Sequence, residues 1–221
     1  MEKHSSYFKL FEQLKDAGCP VCARAKNSLH GFLDSYLYEG VTDDSNWNRL
    51  SAAGGWCARH AGQLAGFSDG LAVSLFYRFE IRKRLQRLGK ISSFFGRFFK
   101  KKAAVAPCPA CVHQAEIEAG LAHSLAKALE DGEFWQAFSR HAGLCLPHGA
   151  ELLARLKGEM KERYRSLAAA QLEALCAELD EFVKKSDYRN TEKMGTEGGA
   201  WLRALERVYG PDFQVTPVEQ P

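Results

Sequence analysis

The sequence predicts an all-α protein, an internally duplicated helical bundle with two Cys₃His metal sites. Three observations lead there. Cys19-Pro20-Val21-Cys22 recurs as Cys108-Pro109-Ala110-Cys111, 89 positions on, and Trp56-Cys57-Ala58-Arg59-His60 recurs as Leu144-Cys145-Leu146-Pro147-His148, 88 positions on. Apolar residues recur at three- and four-residue spacing along nearly the whole chain, the period of a helix face. No alternating apolar/polar run bounded by turn residues calls for a strand.

The elements follow in order. Ser5-Ser6-Tyr7-Phe8-x-x-Phe11 resembles Ser92-Ser93-Phe94-Phe95-x-x-Phe98, a leading helix at the head of each copy. Leu29, Phe32, Leu33, Tyr36 and Leu37 share one helix face, as do Ile117, Leu121, Leu125 and Leu129 in the second copy. Asp43 and Asp131 are N-cap candidates for short helices that carry Trp47 and Trp135. One residue is lost between the copies near 39–42. A longer helix is expected over about Leu71–Leu88, and its counterpart over roughly Ala150–Lys185, long enough to bend. After Gly195, Gly198 and Gly199, the apolar positions Trp201, Leu202, Leu205, Val208 and Tyr209 predict a last helix that docks on the bundle. The division expected is 1–90 and 91–186 for the two copies and 187–221 for the C-terminal loop and helix.

Composition sets the class. With 46% hydrophobic and 26% charged residues over 221 positions, the chain can bury a core and is not disordered. No apolar run reaches 18 residues, and no apolar stretch follows a basic start, so a cytoplasmic location is expected. The net charge of +3 is unevenly spread: Arg78–Lys102 holds ten basic residues against Glu80 alone, a local +9, so the remainder carries −6. That is a local feature, not the signature of a nucleic-acid-binding protein as a whole.

In a reducing compartment, seven cysteines point to metal ligands or catalytic thiols rather than disulfides. Zinc takes four tetrahedral ligands from thiolate and imidazole, and each copy supplies a CxxC and a CxxH. The candidate ligands are Cys19, Cys22, Cys57, His60, Cys108, Cys111, Cys145 and His148. Each pair falls at the start of a helix, where the macrodipole favours thiolates. Closure within each copy is expected, Cys19 and Cys22 with Cys57 and His60, and Cys108 and Cys111 with Cys145 and His148, because the helical hairpin between them returns the chain. Spacing alone also permits an exchange of partners. Two zinc ions are expected; an iron–sulfur cluster on the same ligands is the alternative.

The other candidates have plainer readings. Cys176 lies in the stripe Leu172, Leu175, Cys176, Leu179 and is expected as a small buried hydrophobe. His30, His113, His123 and His141 lack metal-binding spacing and are structural or surface residues. Phe94, Phe95, Phe98 and Phe99 beside Arg97 and Lys100–Lys102 are expected to pack on the core, with an interfacial helix as the other reading. No phosphate loop or nucleophile motif is present.

The residues Cys19-Pro20-x-Cys22, Cys57-x-x-His60 and the tail Asp187-Tyr188-Arg189…Glu197…Trp201-x-Arg203-Ala204 resemble an uncharacterised prokaryotic family, a domain of unknown function found in bacteria and archaea. The resemblance spans almost the whole chain. It implies metal binding and carries no substrate with it.

The function expected is that of a zinc-stapled interaction, adaptor or maturation-factor protein with a protein partner and without catalysis. An iron–sulfur electron-transfer or redox-accessory role is the alternative, and a thiol or metal hydrolase a third. No small-molecule substrate is inferred; contact with a membrane surface or nucleic acid is expected only through the basic segment.

Overall fold

The computed structural model describes residues 5–40, 43–67, 69–89 and 106–211. Among these residues are ten α-helices, one 3₁₀ helix and no strand. The first copy provides α1 (Ser5–Gln13), α2 (Pro20–Tyr38), α3 (Asp44–Ala52), α4 (Ala58–Ala65) and α5 (Gly70–Gly89). The second provides α6 (Pro109–Ala128), α7 (Gly132–Arg140), α8 (Leu146–Arg155) and α9 (Gly158–Lys185), followed by the 3₁₀ helix (Thr196–Gly199) and α10 (Ala200–Tyr209). Thus α2–α3–α4 and α6–α7–α8 present one order of elements twice. Pro20 and Pro109 open their helices, where a missing N–H costs nothing. Asp43 accepts the Ser45 N–H at 2.8 Å and Asp131 the Phe134 N–H at 3.0 Å, so both predicted N-caps form.

The chain folds into two compact units, and they do not follow the repeat boundaries. One comprises Met1–Ala25 with Glu118–Pro221, the other Lys26–Ile117. The divisions at 90 and 186 are divisions of sequence, not of space. In the Lys26–Ile117 unit, Leu29, Leu33 and Tyr36 of α2 pack with Leu50, Trp56, Leu64 and Phe76, and Cys108 and Ala110 of the second copy join them. In the other unit, Leu125, Phe134, Phe138, Leu152 and Tyr164 form the core, and Tyr7, Leu10, Cys19 and Val21 of the first copy enter it. Tyr7 seals that arrangement: its ring lies 5.2 Å from Phe134 and its hydroxyl donates to Asp131, the cap of α7, at 3.0 Å. Each unit therefore combines the head of one copy with the body of the other. Each large side chain so buried contributes about 1.5–3 kcal/mol.

Three local expectations change. The single helix expected over Ala150–Lys185 is two, because Leu156 and Lys157 are extended and Gly158 takes φ +52°. Leu156 leaves the helix to bury itself in the core. Cys176 is exposed. The inward arc of α9 runs Tyr164, Ala168, Gln171, Leu172, Leu175, Leu179, and Cys176 stands about 40° past Leu172 at the edge of that arc. Finally, α10 docks on α8 and α9, yet Ala200 is its buried residue, whereas Trp201, Leu202, Val208 and Tyr209 are exposed. Its attachment is polar: Arg207 donates to the Ala142 carbonyl at 2.7 Å and to Gln171, and Arg203 pairs with Glu178. The aromatic stretch Phe94–Phe99 lies outside the described residues.

Candidate metal centres

All four ligand pairs begin a helix. The carbonyls of Cys19, Cys57, Cys108 and Cys145 accept the first helical N–H groups, from Ala23, Ala61, Val112 and Gly149 at 2.8–3.1 Å. Cys57 and Cys145 are the N-cap residues of α4 and α8, with extended backbones at φ −68°, ψ 162° and φ −62°, ψ 156°. Neither sulfur caps its own helix. The thiols instead turn to a common point in the field of helix N-termini, which favours the thiolate.

Two groups assemble, each able to hold a metal ion: Cys19, Cys22, Cys145 and His148, and Cys57, His60, Cys108 and Cys111, with the donor atoms of each group all within 4.8 Å of one another. All eight sequence-predicted residues are brought together, but their partners are exchanged. The expectation of closure within each copy is overturned: the CxxC of one copy meets the CxxH of the other.

Two magnitudes explain the exchange. Closing Cys19 onto His148 spans 129 residues against roughly 40 to His60, yet the extra loop entropy is only about 1 kcal/mol. The economy of local closure is therefore too small to decide the pairing. Helix length decides it. Trp56 packs edge-on against Tyr36, near the C-terminal end of the 19-residue α2, with centroids 4.7 Å apart. The returning α3, nine residues long, covers only about 13 Å. Cys57 is thus set down by the far end of α2, and His60 completes its site with Cys108 and Cys111.

In the first group, His148 Nδ1 lies 3.5, 3.2 and 3.1 Å from the sulfurs of Cys19, Cys22 and Cys145, and Cys22 and Cys145 are 3.6 Å apart. In the second, His60 Nδ1 lies 3.2, 3.5 and 3.4 Å from Cys57, Cys108 and Cys111, with Cys57 and Cys111 3.7 Å apart. Both groups present the same ring nitrogen inward.

The electrostatics are those of crowded thiols. Hydrogen bonds from Cys145 and Cys22 hold Cys19 low, while Cys145 and Cys19 push Cys22 up. Burial, then Cys57 and Cys108, push Cys111 up to about 11. Burial opposes charge on His148, yet Cys145, Cys19 and Glu118 push it up to about 12. Three sulfurs at this separation cannot all ionise in the absence of a cation. A divalent ion resolves the crowding and leaves each centre at −1, so the donor chemistry fits.

Around the first group the structure adds residues without a sequence signal. Glu118 Oε2 lies 3.7 Å from His148 Nε2, on the side of the ring away from the sulfurs. That is the carboxylate–histidine arrangement that orients a metal-binding imidazole. Gly210 takes φ +80°, and a Cβ there would stand 3.3 Å from the Cys22 sulfur, so only glycine covers the thiols this closely. Of the other histidines among the described residues, His141 is buried, His113 stacks on Phe32 at 4.3 Å, His30 packs near Phe67 at 4.5 Å, and His123 is exposed.

Residues 8–211 match the model of a family described as a family of unknown function (DUF6062). The chain is also 28% identical, over 211 residues, to an uncharacterized 23.9 kDa protein in the xynA 3' region of Caldicellulosiruptor sp. (strain Rt8B.4), covering 91% of this chain and 99% of that one. No solved structure matches.

Proposed function

Because the chain belongs to the DUF6062 family, a family of unknown function, we propose its role from the centres themselves: a helical scaffold stapled by two structural zinc ions, acting as an adaptor or maturation factor rather than an enzyme. One observation carries the choice of metal. Tetrahedral zinc, with Zn–S about 2.3 Å and Zn–N about 2.0–2.1 Å, sets sulfurs about 3.7 Å apart and sulfur and nitrogen about 3.5 Å apart. Here Cys22 and Cys145 are 3.6 Å apart, Cys57 and Cys111 3.7 Å, and each histidine nitrogen lies 3.1–3.5 Å from its three sulfurs. An iron–sulfur cluster, the second reading, puts its own iron and sulfide atoms between the ligands and spreads the thiolates further.

A structural role is supported by the completeness of each set, since catalytic zinc keeps a position open for water. It is also supported by what the ligands join, the head of one copy and the body of the other. The scaffold reading, with a protein partner, follows from stapled helices with no recognised catalytic set. Thiolate ligands suit a reducing, cytoplasmic setting.

Elemental and sulfide analysis of freshly purified, tag-free protein tests this. Two zinc ions per chain and no acid-labile sulfide is the expected result. Iron with matching sulfide selects the redox reading, and a metal-free folded protein defeats both.

A further inference from the structure

The second half of α5 is patterned inside out. Phe76 and Glu80 are buried, and Lys83 turns inward to the Ser51 hydroxyl and lies 3.8 Å from Glu80. That orientation leaves Ile81 and Leu85, one helical turn apart, facing solvent at 55% and 59% exposure. A helix that turns a charged pair inward and presents its aliphatic residues outward is incomplete on that outer face.

The flanking charge identifies what completes it. Arg78 and Arg82 stand exposed on one side of the Ile81–Leu85 stripe, and Arg84 lies on the other, donating to the Gly54 carbonyl at 2.7 Å. Within 78–86 the only acid is Glu80, and it points inward. The geometry points to this face as a docking surface for an anionic membrane: Ile81 and Leu85 enter the headgroup boundary while the arginines meet lipid phosphates and carboxylates. Nucleic acid fits less well, because phosphate contacts gain nothing from aliphatic side chains at the centre of the face. In sequence, Arg78–Lys102 carries +9 against −6 for the remainder, a segment suited to an anionic surface. The inference is independent of the metal centres.

Tag-free, metal-loaded full-length protein is sedimented with phosphatidylcholine vesicles and with vesicles also containing phosphatidylserine. Binding is expected to the mixed vesicles, not to the neutral ones, and to weaken steeply with salt. Arg78→Gln/Arg82→Gln and Ile81→Ser/Leu85→Ser should each reduce it on the order of tenfold or more. All four side chains are exposed, so thermal unfolding of both variants should match the parent. Absence of binding at low salt overturns the proposal. So does binding that survives both pairs of substitutions, or tighter retention on duplex DNA or RNA than on the vesicles.

Discussion

The ring of His141 bolts Asp16 to the loop before Cys145: its Nε2–H donates to the Asp16 carbonyl at 3.0 Å, and its Nδ1 accepts the Gly143 N–H at 2.9 Å. Asp16 leads into Cys19, so one imidazole sets the distance between the two strands of backbone that bring thiols to the first centre. Accepting at Nδ1 requires the neutral ring with its proton on Nε2. Burial holds the His141 pKa below its ordinary value, so its stabilisation is complete above the unfolded value of about 6.5 and is lost as pH falls below it. His141→Gln should be less stable by about 1–3 kcal/mol at pH 7.5, and that deficit should shrink below pH 6.5. Denaturation at several pH values checks this; a constant deficit would show that the ring does not titrate with folding.

The exchanged pairing makes a sharp prediction for double variants. Cys19→Ser with Cys145→Ser should remove one ion, because both ligands belong to one centre. Cys19→Ser with Cys57→Ser should remove both, although these residues lie in the same copy. Metal content by mass spectrometry under native conditions separates the two pairings. Each lost ion should also lower the melting temperature, since structural zinc binding is worth on the order of 10–16 kcal/mol.

Glu118→Gln should weaken the first centre and leave the second alone. Loss of a carboxylate behind a metal-bound histidine typically costs 10–100-fold in affinity. Competition with a coloured chelator should then release one ion earlier than in the parent. If release is unchanged, Glu118 does not orient His148.

Glu197 anchors the turn before α10. The Gly195 N–H donates to its carboxylate at 2.6 Å and Lys185 at 2.9 Å, which together hold its pKa at about 2. A depressed carboxyl contributes stability above its unfolded value, about 4.3, and loses it as pH falls toward the folded one. Glu197→Gln should therefore be less stable than the parent at pH 7, with a gap that narrows only below about pH 4.3. A gap that narrows between pH 7 and 5 would contradict the assignment.

Much of this was legible because it is local. The helix period, the capping aspartates and the CxxC and CxxH spacings are all set within a few residues, and α5 falls within a residue of its expected limits. The pairing of the centres was not legible, because it depends on α2 being longer than α3 can retrace. Glu118 was invisible for a related reason: seven positions after Cys111 and two after Glu116 on the same helix, it has no spacing to distinguish it. Cys176 misled because a stripe of leucines draws in a neighbour that the helix places to one side. Gly210 reaches the first centre only through the fold.

The chain begins one unit, builds the other completely, and then returns to finish the first. On a ribosome adding about 5–20 residues per second, Cys57 and Cys111 emerge 54 residues apart. The unit that starts second can therefore close its centre first. Cys19 waits 129 residues for His148, which is on the order of ten seconds at that pace. Throughout that interval the Cys19 and Cys22 thiols are outside the tunnel without their final partners, open to oxidation or to a passing metal.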